Sequence, residues 1–237
     1  MNLAVVEKRT PTAPARLNVG GVAFLADISG ALFLEDERLL IVADLHLEKG
    51  SAYAARRVLL PPYDTAATLA RLASVVLRLA PRAVIALGDS FHDVRAGERM
   101  AEPDRCALAE LQRGRDFIWV AGNHDPEVPA FVDGERCATF QIGAVTLRHE
   151  PMAGASAEIA GHLHPVARVV SKSGGLRRRC FASDGKRCVM PAFGAYAGGL
   201  NIRDAAFAPL FPAGVTSAHV LGRSAVYGVG PANCWPD

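Results

Sequence analysis

The chain has 237 residues, of which 50% are hydrophobic and 21% charged, a composition that fits one large α/β domain and argues against disorder. The net charge of +2 at pH 7 is too small to indicate a nucleic acid or any other class of partner. Five cysteines without CxxC spacing argue against a disulfide framework, and the lack of a long apolar run argues against a signal peptide or membrane span, so we expect a cytoplasmic protein with no membrane partner.

The first half of the chain alternates between β-like and helical segments. Residues 1–15 are predicted to form a flexible tail, and residues 16–237 a single domain. β-like segments at 21–26, 31–35 and 39–43 are followed by helices at 48–58 and 61–81, a strand at 82–87, a helix at 97–114 that Pro103 interrupts, and a strand at 116–122. Asp64 stands where the second helix needs an N-cap. The alternation predicts a sheet with helices on its faces.

After about residue 135 the pattern changes to short β-like segments with few helical stretches between them. The segments lie at 137–142, 144–150, 156–162, 166–171, 177–183, 186–192, 218–222 and 225–229. No linker in this part is long enough to require a second domain. We therefore expect two sheets that pack against each other.

Five apolar segments along the chain end in Asp, Asn or His. The polar residues at these ends are Asp44 and His46 in LLIVADLHLEKG, Asp89 in VIALGDSFHD, Asn123 and His124 in IWVAGNHD, His149 in VTLRHE, and His162 and His164 in EIAGHLHP. Five of the seven histidines lie in these ends. One such residue alone would indicate little, but five ends of the same kind predict a common site.

Strand periodicity suggests how these side chains meet. Residues i and i+2 of an extended chain project to one face, so Asp44 can converge with His46, and His162 with His164. Glycines stand before three of the five ends and allow the backbone to turn tightly or to approach a bound group. In open α/β sheets, ligands gather beyond the carboxyl ends of the strands, where all five segments present polar groups.

The seven residues other than His124 form a set of nitrogen and oxygen donors. Such a mixture suits Mn, Fe, Zn or a similar divalent ion better than calcium or thiophilic metals. Seven protein ligands exceed what one octahedral ion needs. They suit two ions that share a bridge, with water or hydroxide at the open positions.

The motif series D-x-H, GD, GNHD, a lone His and GHLH resembles the calcineurin-like metallophosphoesterase superfamily, over roughly residues 20–205. Longer stretches, among them ADLHLEKGSAYAARRVLLPPYDT and RRRCFASDGKRCVMPAFGAYAGGLN, resemble its ligase-associated DNA damage response endonuclease clade. The resemblance implies a four-layer α-β-β-α sandwich with two packed mixed sheets. It also implies a DNA endonuclease in bacterial DNA repair, with a repair ligase, an exonuclease and a helicase encoded nearby as partners.

The resemblance further implies a role for each site residue. Asp44, His46 and His164 would bind one metal ion, Asn123, His149 and His162 would bind the other, and Asp89 would bridge both. His124 would face the scissile phosphate without binding metal. Many relatives have a second Asp three residues after the bridging one; this chain has His92 there, and Asp93, one residue later, is expected to orient His124.

The expected cofactors are two divalent ions, with Mn²⁺ preferred over Fe or Zn. Such ions explain how the site would hydrolyse a phosphodiester. They would lower the pKa of a bridging water from about 15.7 toward neutrality, and we expect the resulting hydroxide to be the nucleophile that attacks the phosphodiester. The ions also offset the charge that builds on the nonbridging oxygens. His124 is expected to hydrogen-bond the phosphate or to protonate the leaving oxygen, an effect of about 10²–10⁴-fold.

Basic residues follow the first candidate ligands directly. Lys49, Arg56 and Arg57 are predicted to contact substrate phosphates, and a solvated basic face is the ordinary alternative. The arginines at 177–179 could contact phosphates or could form an ordinary solvated run, and the sequence does not decide between the two. The glycines of FGAYAGGLN could form a loop that the substrate approaches or only a tight turn. Two roles remain for His92: a supporting contact in the site, or the cap of a helix.

Two other functions use the same fold. A small-molecule phosphohydrolase, such as a nucleotide-lipid pyrophosphatase or a cyclic-nucleotide phosphodiesterase, would have the same ligands. The absence of an inserted apolar helix pair between GNHD and His149 counts against the lipid-hydrolysing version. A binding module without catalysis is disfavoured because all seven ligands and His124 are present. The sequence therefore favours the endonuclease.

Overall fold

The computed structural model of the chain describes residues 15–171, 174–211 and 216–237. Within these ranges two mixed β-sheets pack face to face, which confirms the predicted fold class. The predicted tail lies outside the described residues except for Ala15, at which the first strand begins.

The first sheet has seven strands, which lie side by side in chain order. They are β1 (Ala15–Val19), β2 (Val22–Ala26), β3 (Leu32–Leu34), β4 (Leu39–Ala43), β5 (Ala83–Leu87), β6 (Asp116–Val120) and β7 (Glu135–Cys137). β1 to β4 pair antiparallel, and β4 to β7 pair parallel. Every residue of β4 and β5 is buried, because both faces of the sheet are covered, so neither strand alternates in hydrophobicity.

β1 was not predicted as a strand, although its sequence contains the signal. ARLNV alternates between exposed and buried residues, as expected of a strand with one face on the core. Gly20 and Gly21 follow it with φ of 57° and 87°, the conformation that a two-residue hairpin turn requires. The prediction overlooked this Gly-Gly hairpin signal.

Four helices are associated with the first sheet: α1 (Lys49–Ala55), α2 (Asp64–Leu79), α3 (Ala96–Arg99) and α4 (Glu102–Gln112). The helix predicted at 97–114 is thus two helices, separated by Met100 and Ala101 in extended conformations. Pro103 lies in the first turn of α4, where a missing N–H costs nothing, so it begins the helix instead of interrupting it.

α2 is fixed at both ends by side-chain hydrogen bonds. The prediction that Asp64 is the N-cap of α2 is wrong by one residue: Tyr63 occupies the cap position, and Asp64 is the first residue of the helix. The Asp64 carboxylate accepts a hydrogen bond from the N–H of Gly50 at 2.9 Å and so joins α2 to α1. Near the other end, Arg78 donates to both carboxylate oxygens of the buried Asp27, at 2.7 and 3.0 Å.

Nine strands among the described residues form the second sheet. They are β8 (Phe140–Ile142), β9 (Val145–Arg148), β10 (Glu158–Ala160), β11 (Val166–Ser171), β12 (Gly174–Ser183), β13 (Arg187–Val189), β14 (Ser217–Leu221), β15 (Val226–Val229) and β16 (Cys234–Trp235). The order is β15-β14-β12-β13-β10-β9-β8, with β11 paired to β12 and β16. β9, β10 and β13 run parallel, so their carboxyl ends lie at one edge.

Three hydrophobic clusters hold the layers together. The central one joins the inner faces of the two sheets, with Ile41 and Ile85 from the first and Leu147 and Ile159 from the second. A second lies between the first sheet and its helices. The third covers the outer face of the second sheet, where residues 201–211 and their short 3₁₀ helix (Ala205–Phe207) form the outer layer. None of the helices in the described ranges has the length and apolarity needed to cross a membrane.

Candidate metal centre

Every predicted ligand follows the carboxyl end of a strand, and the two sheets bring these ends together. Asp44 and His46 follow β4, Asp89 follows β5, Asn123 follows β6, His149 follows β9, and His162 and His164 follow β10. Their side chains form two groups of atoms at hydrogen-bonding distances, with Asp89 between the groups.

Asp44, His46 and His164 form the first group, with ligand atoms that all lie within 4.8 Å of one another. Nε2 of His164 lies 3.3 Å from Nε2 of His46 and 3.3 Å from Oδ1 of Asp44. Asp44 is fully buried, and its two oxygens accept from the N–H of His162 at 3.2 and 3.1 Å. This backbone contact holds the Asp44 carboxylate in place.

Asn123, His149 and His162 form the second group. Oδ1 of Asn123 lies 2.8 Å from Nε2 of His149 and 2.9 Å from Nδ1 of His162, and these two nitrogens are 3.2 Å apart. Nδ1 of His149 is 3.1 Å from the carbonyl oxygen of Leu87. Because a carbonyl oxygen only accepts, Nδ1 carries the proton, and Nε2 is left with the lone pair that a metal ligand needs.

Asp89 lies between the two groups and faces both. Its Oδ1 is 3.3 Å from Nε2 of His149, and its Oδ2 is 3.9 Å from Nε2 of His46. Ligand atoms of Asp44, Asp89 and His149 also lie within 4.8 Å of one another, which connects the groups. The two Asp89 oxygens therefore have the arrangement expected of a ligand shared by two ions.

The orientation of the lone pairs fits bound cations. Nε2 of His149 faces Oδ1 of Asn123 and Oδ1 of Asp89, so three lone pairs converge, and they repel one another unless a cation lies among them. Burial, and to a lesser extent the neighbouring histidines and Lys49, lower the pKa of His46 to about 2, so His46 is neutral and can donate a lone pair. Nitrogen and oxygen donors without a thiolate suit Mn, Fe or Zn.

Five of the predicted ligands have a left-handed backbone, with φ of 55° at Asp44, 45° at His46, 46° at Asp89, 68° at His162 and 48° at His164. The argument from an extended chain is therefore wrong in its geometry. The pairs at i and i+2 converge because each strand stops and the following loop curls, not because the strand continues. A left-handed backbone costs a non-glycine residue about 1–2 kcal/mol, and such strain is concentrated at functional sites.

The hydrogen-bond ladder between β4 and β5 continues into the ligand loops. The N–H of Asp44 donates to the carbonyl of Gly88 at 3.3 Å, the N–H of His46 donates to the carbonyl of Asp89 at 2.8 Å, and the next residue repeats the pattern. The position of the first two ligands is thus tied to that of Asp89 by backbone contacts alone.

The glycines before the ligands leave room for neighbouring ligand residues. A Cβ at Gly88 would lie 2.5 Å from Cγ of His149, and one at Gly122 would lie 2.1 Å from the backbone nitrogen of Asp89. Both distances are far below van der Waals contact. Close packing of the ligand loops therefore requires glycine at these two positions.

His124 lies beside the two groups and is oriented by a backbone carbonyl. Its Nδ1 is 2.9 Å from the carbonyl oxygen of His92, so Nδ1 donates, and Nε2, 3.9 Å from Oδ2 of Asp89, is free for another partner. The imidazole of His92 stacks on that of His124 with 5.2 Å between centroids. Burial, and to a lesser extent the nearby His124 and Lys49, lower the pKa of His92 to about 4.

Asp93 does not make the contact to His124 that we expected. Its carboxylate accepts hydrogen bonds from Arg99 at 2.8 Å and from the N–H of Arg95 at 2.9 Å, on the side of α3. Arg99 also donates to Oγ of Ser51 at 3.0 Å. Asp93 therefore fixes α1 against the loop that carries His92, while the His92 carbonyl orients His124.

The three predicted substrate-binding residues lie on and after α1. Lys49 begins the helix, and its Nζ is 6.0 Å from the ring centroid of Tyr53. Arg56 and Arg57 follow the end of the helix and are exposed. In the described part of the chain, none of the three pairs with a carboxylate.

One supporting residue, Asp125, was missed by the sequence reasoning. Asp125 is buried, and its Oδ2 accepts from the N–H of Phe91 at 2.9 Å, which holds the loop after Asp89. Burial outweighs this hydrogen bond and raises the pKa of Asp125 to about 7. Its signal was present, since Asp125 is the last residue of the GNHD motif.

The glycine-rich segment after β13 packs directly on the first ligand loop. The N–H of Gly194 donates to the carbonyl of Asp44 at 3.0 Å, and a Cβ at Gly194 would lie 2.4 Å from the carbonyl oxygen of Leu45. Arg179 donates to the carbonyl of Ala192 at 2.6 Å, whereas the neighbouring arginines are exposed. The segment thus supports the Asp44 loop, and Arg179 supports the segment.

Known proteins resemble this chain in sequence and in structure. The calcineurin-like phosphoesterase family model matches residues 37–183. The crystal structure of the nuclease MPE of Pseudomonas putida aligns with a TM-score of 0.70 and 27% identity, over 91% of this chain and 100% of that chain. The phosphoesterase Yfce of E. coli aligns with a TM-score of only 0.41 and 14% identity, over 81% of this chain and 98% of that chain. No curated protein sequence matches significantly.

Proposed function

The chain belongs to the calcineurin-like phosphoesterase family, and on that premise we propose that it is a metal-dependent endonuclease that cleaves DNA during repair. The observation that carries the proposal is the position of Asp89, whose two oxygens face the two groups of ligands while its Oδ1 also accepts a hydrogen bond from the backbone N–H of His124. Similarity to a Pseudomonas putida nuclease supports a nucleic acid as the substrate.

The seven predicted ligands would hold two divalent ions. Asp44, His46 and His164 would bind one, Asn123, His149 and His162 the other, and Asp89 both. Bound ions of this kind supply a nucleophile at neutral pH and neutralise charge on the phosphoryl oxygens. Mn²⁺ agrees with the mixed donors, and Fe or Zn would also be accepted.

His124 would act on the substrate and not on the metal. Its Nδ1–H donates to the His92 carbonyl, so Nε2 lies at the open side of the site, where, once it carries a proton, it would hydrogen-bond the phosphate or protonate the leaving oxygen. Stacking against His92 keeps the imidazole in this orientation. No rearrangement of the ring is then needed when the substrate binds.

Positive charge beside the site would bind the DNA backbone. Lys49, Arg56 and Arg57 have no carboxylate partners among the described residues, so their charges are free to neutralise phosphates. Such contacts give affinity without dependence on base sequence.

The test compares substrates side by side with one protein preparation. Protein stripped of metal and reloaded with Mn²⁺ is incubated with circular single-stranded DNA, linear duplex DNA and a nucleotide-lipid pyrophosphate. We expect cleavage of DNA, including the circle, because an endonuclease needs no end. Hydrolysis of the lipid substrate with no attack on either DNA would overturn the proposal.

Two variants control this experiment. Replacing His124 by Ala should abolish most DNA cleavage, whereas replacing His219 by Ala removes a histidine in β14, outside both ligand groups. A contaminating nuclease would leave cleavage equal in both variants.

A further inference from the structure

Residues 56–63, which we term the rim segment, expose three large hydrophobic side chains beside the candidate metal centre. Val58 is 50% exposed, Leu59 88% and Tyr63 68%. Side chains of this kind are scattered singly on most protein surfaces, but here they lie within six residues of one another. A cluster of exposed hydrophobic side chains favours a surface that binds another molecule.

The rim segment is connected to His124 through Tyr53 and His92. The N–H groups of Arg56 and Val58 both donate to the carbonyl of Tyr53, at 2.9 and 3.0 Å. The Tyr53 ring lies 5.8 Å from that of His92, which in turn stacks on His124. A substrate bound at the metal centre would therefore extend over this segment.

The conformation of the rim segment is held by its own contacts. Two consecutive prolines, Pro61 and Pro62, restrict its backbone, and the N–H of Tyr63 donates to the carbonyl of Pro61 at 2.9 Å. Asp64, the next residue, is bonded to Gly50 in α1. The exposed side chains are thus presented by a preorganised backbone, which lowers the entropy lost on binding.

The charges around the hydrophobic side chains indicate the kind of partner. Arg56 and Arg57 are exposed at the start of the segment, and no described carboxylate pairs with either of them. A second copy of the chain would have to bury both charges at the contact. DNA supplies phosphates for the arginines and base faces for the apolar groups, as in proteins that wedge or stack side chains against bases.

We propose that the rim segment binds DNA whose bases are unstacked beside the cleaved bond, with Leu59 and Tyr63 against the bases and Arg56 and Arg57 on the phosphates. The inference rests on the proposed nuclease function. It assigns contacts with the bases to side chains outside the metal centre.

The experiment uses the double variant Leu59→Ala/Tyr63→Ala. Leu77→Ala is the matched control, since Leu77 is 86% exposed and lies on α2, away from the rim segment. Binding is measured in the His124→Ala background, which prevents cleavage, with a DNA hairpin that carries 2-aminopurine in its loop. Melting temperatures check that each variant is folded.

We expect the double variant to bind the hairpin about tenfold more weakly than the control and to lose the change in 2-aminopurine fluorescence that accompanies binding of the parent. Its affinity should keep the salt dependence of the parent, because no charge was removed. Replacing Arg56 and Arg57 by Ala should instead flatten that dependence by about one unit of slope per contact.

Each contrary outcome has a distinct meaning. If the parent binds and cleaves DNA but the double variant equals the Leu77 control, the rim segment is not a DNA surface and only this inference fails. If the double variant dissociates a dimer or releases the protein from anionic vesicles without affecting DNA binding, another partner occupies the segment and the inference also fails. A parent that hydrolyses bis-p-nitrophenyl phosphate but does not bind DNA overturns the proposed function as well.

Discussion

Replacing Gly88 by Ala should disturb metal binding from outside the set of ligands. The new Cβ would lie 2.5 Å from Cγ and 2.6 Å from Nδ1 of His149, whereas ordinary contact begins at 3.4 Å. His149 is buried and bonded to the carbonyl of Leu87, so relief of the clash requires its ring to move by about 1 Å. Metal sites tolerate errors in ligand distance of only about 0.2 Å.

Two effects of this substitution can be separated. The backbone at Gly88 has φ of 66°, and forcing Ala into that conformation costs about 1 kcal/mol of folding free energy. Displacement of a ligand is expected to lower metal affinity by about 10–100-fold, as loss of a contact that orients a ligand does. Only the second effect depends on the metal centre.

Gly114→Ala is the matched control, because Gly114 has φ of 73° and its added Cβ would meet no atom within 4 Å. Thermal unfolding in EDTA measures the backbone effect, and metal content after dialysis against graded Mn²⁺ measures affinity. Gly88→Ala should lose at least as much stability as Gly114→Ala, because the clash with His149 adds to the backbone effect, and only Gly88→Ala should lose metal. If Gly88→Ala binds metal as tightly as the parent, our account of how His149 is held in place is wrong.

Three further predictions concern catalysis, stability and substrate binding. His124→Ala should keep both metals yet slow phosphodiester hydrolysis by about 10²-fold or more, as metal analysis and turnover together would show; loss of metal would make His124 a ligand. Burial raises the pKa of Asp27, but hydrogen bonds from Arg78 and Ser29 outweigh burial and hold the pKa below its ordinary value. The pair therefore stabilises the fold above about pH 4 and stops doing so as the pH falls through the folded pKa. Since Arg78 is half exposed, Asp27→Asn should lower the unfolding free energy by about 1 kcal/mol at pH 7, and urea unfolding at pH 3 should show a much smaller difference. Replacing Lys49, Arg56 or Arg57 by Ala should weaken DNA binding with little effect on bis-p-nitrophenyl phosphate, and equal losses on both substrates would assign these residues to the catalytic shell.

The candidate ligands could be predicted because each buried strand ends abruptly in a polar residue. Asp44 comes directly after β4, and Asp89 comes one glycine after β5, two strands whose residues are all buried; a carboxylate at such a point needs a functional or structural reason. The pattern identified the ends of the strands without any knowledge of how the loops fold. The pattern was therefore sufficient to predict that the ligands from these strands meet at one edge.

The conformations of the loops could not be predicted in this way. The left-handed backbone at His46 and His164 has no signal in residue type, since it is imposed by surrounding contacts. The orienting contact on His124 comes from a carbonyl, and every residue has one, so the sequence could only suggest the nearest carboxylate, Asp93. The Asp93 side chain turns toward α3 because its carboxylate accepts a hydrogen bond from Arg99 there.

The continuation of the β4–β5 ladder into the ligand loops makes metal loading a check on correct folding. A shift of β4 by one residue would turn its inward-facing side chains outward and place Leu45 where Asp44 now stands. Such a chain could still form two sheets, but it could not assemble either group of ligands. The fraction of protein that takes up metal after refolding should therefore equal the fraction in the native strand register, and can be used to count misregistered molecules that retain normal secondary structure.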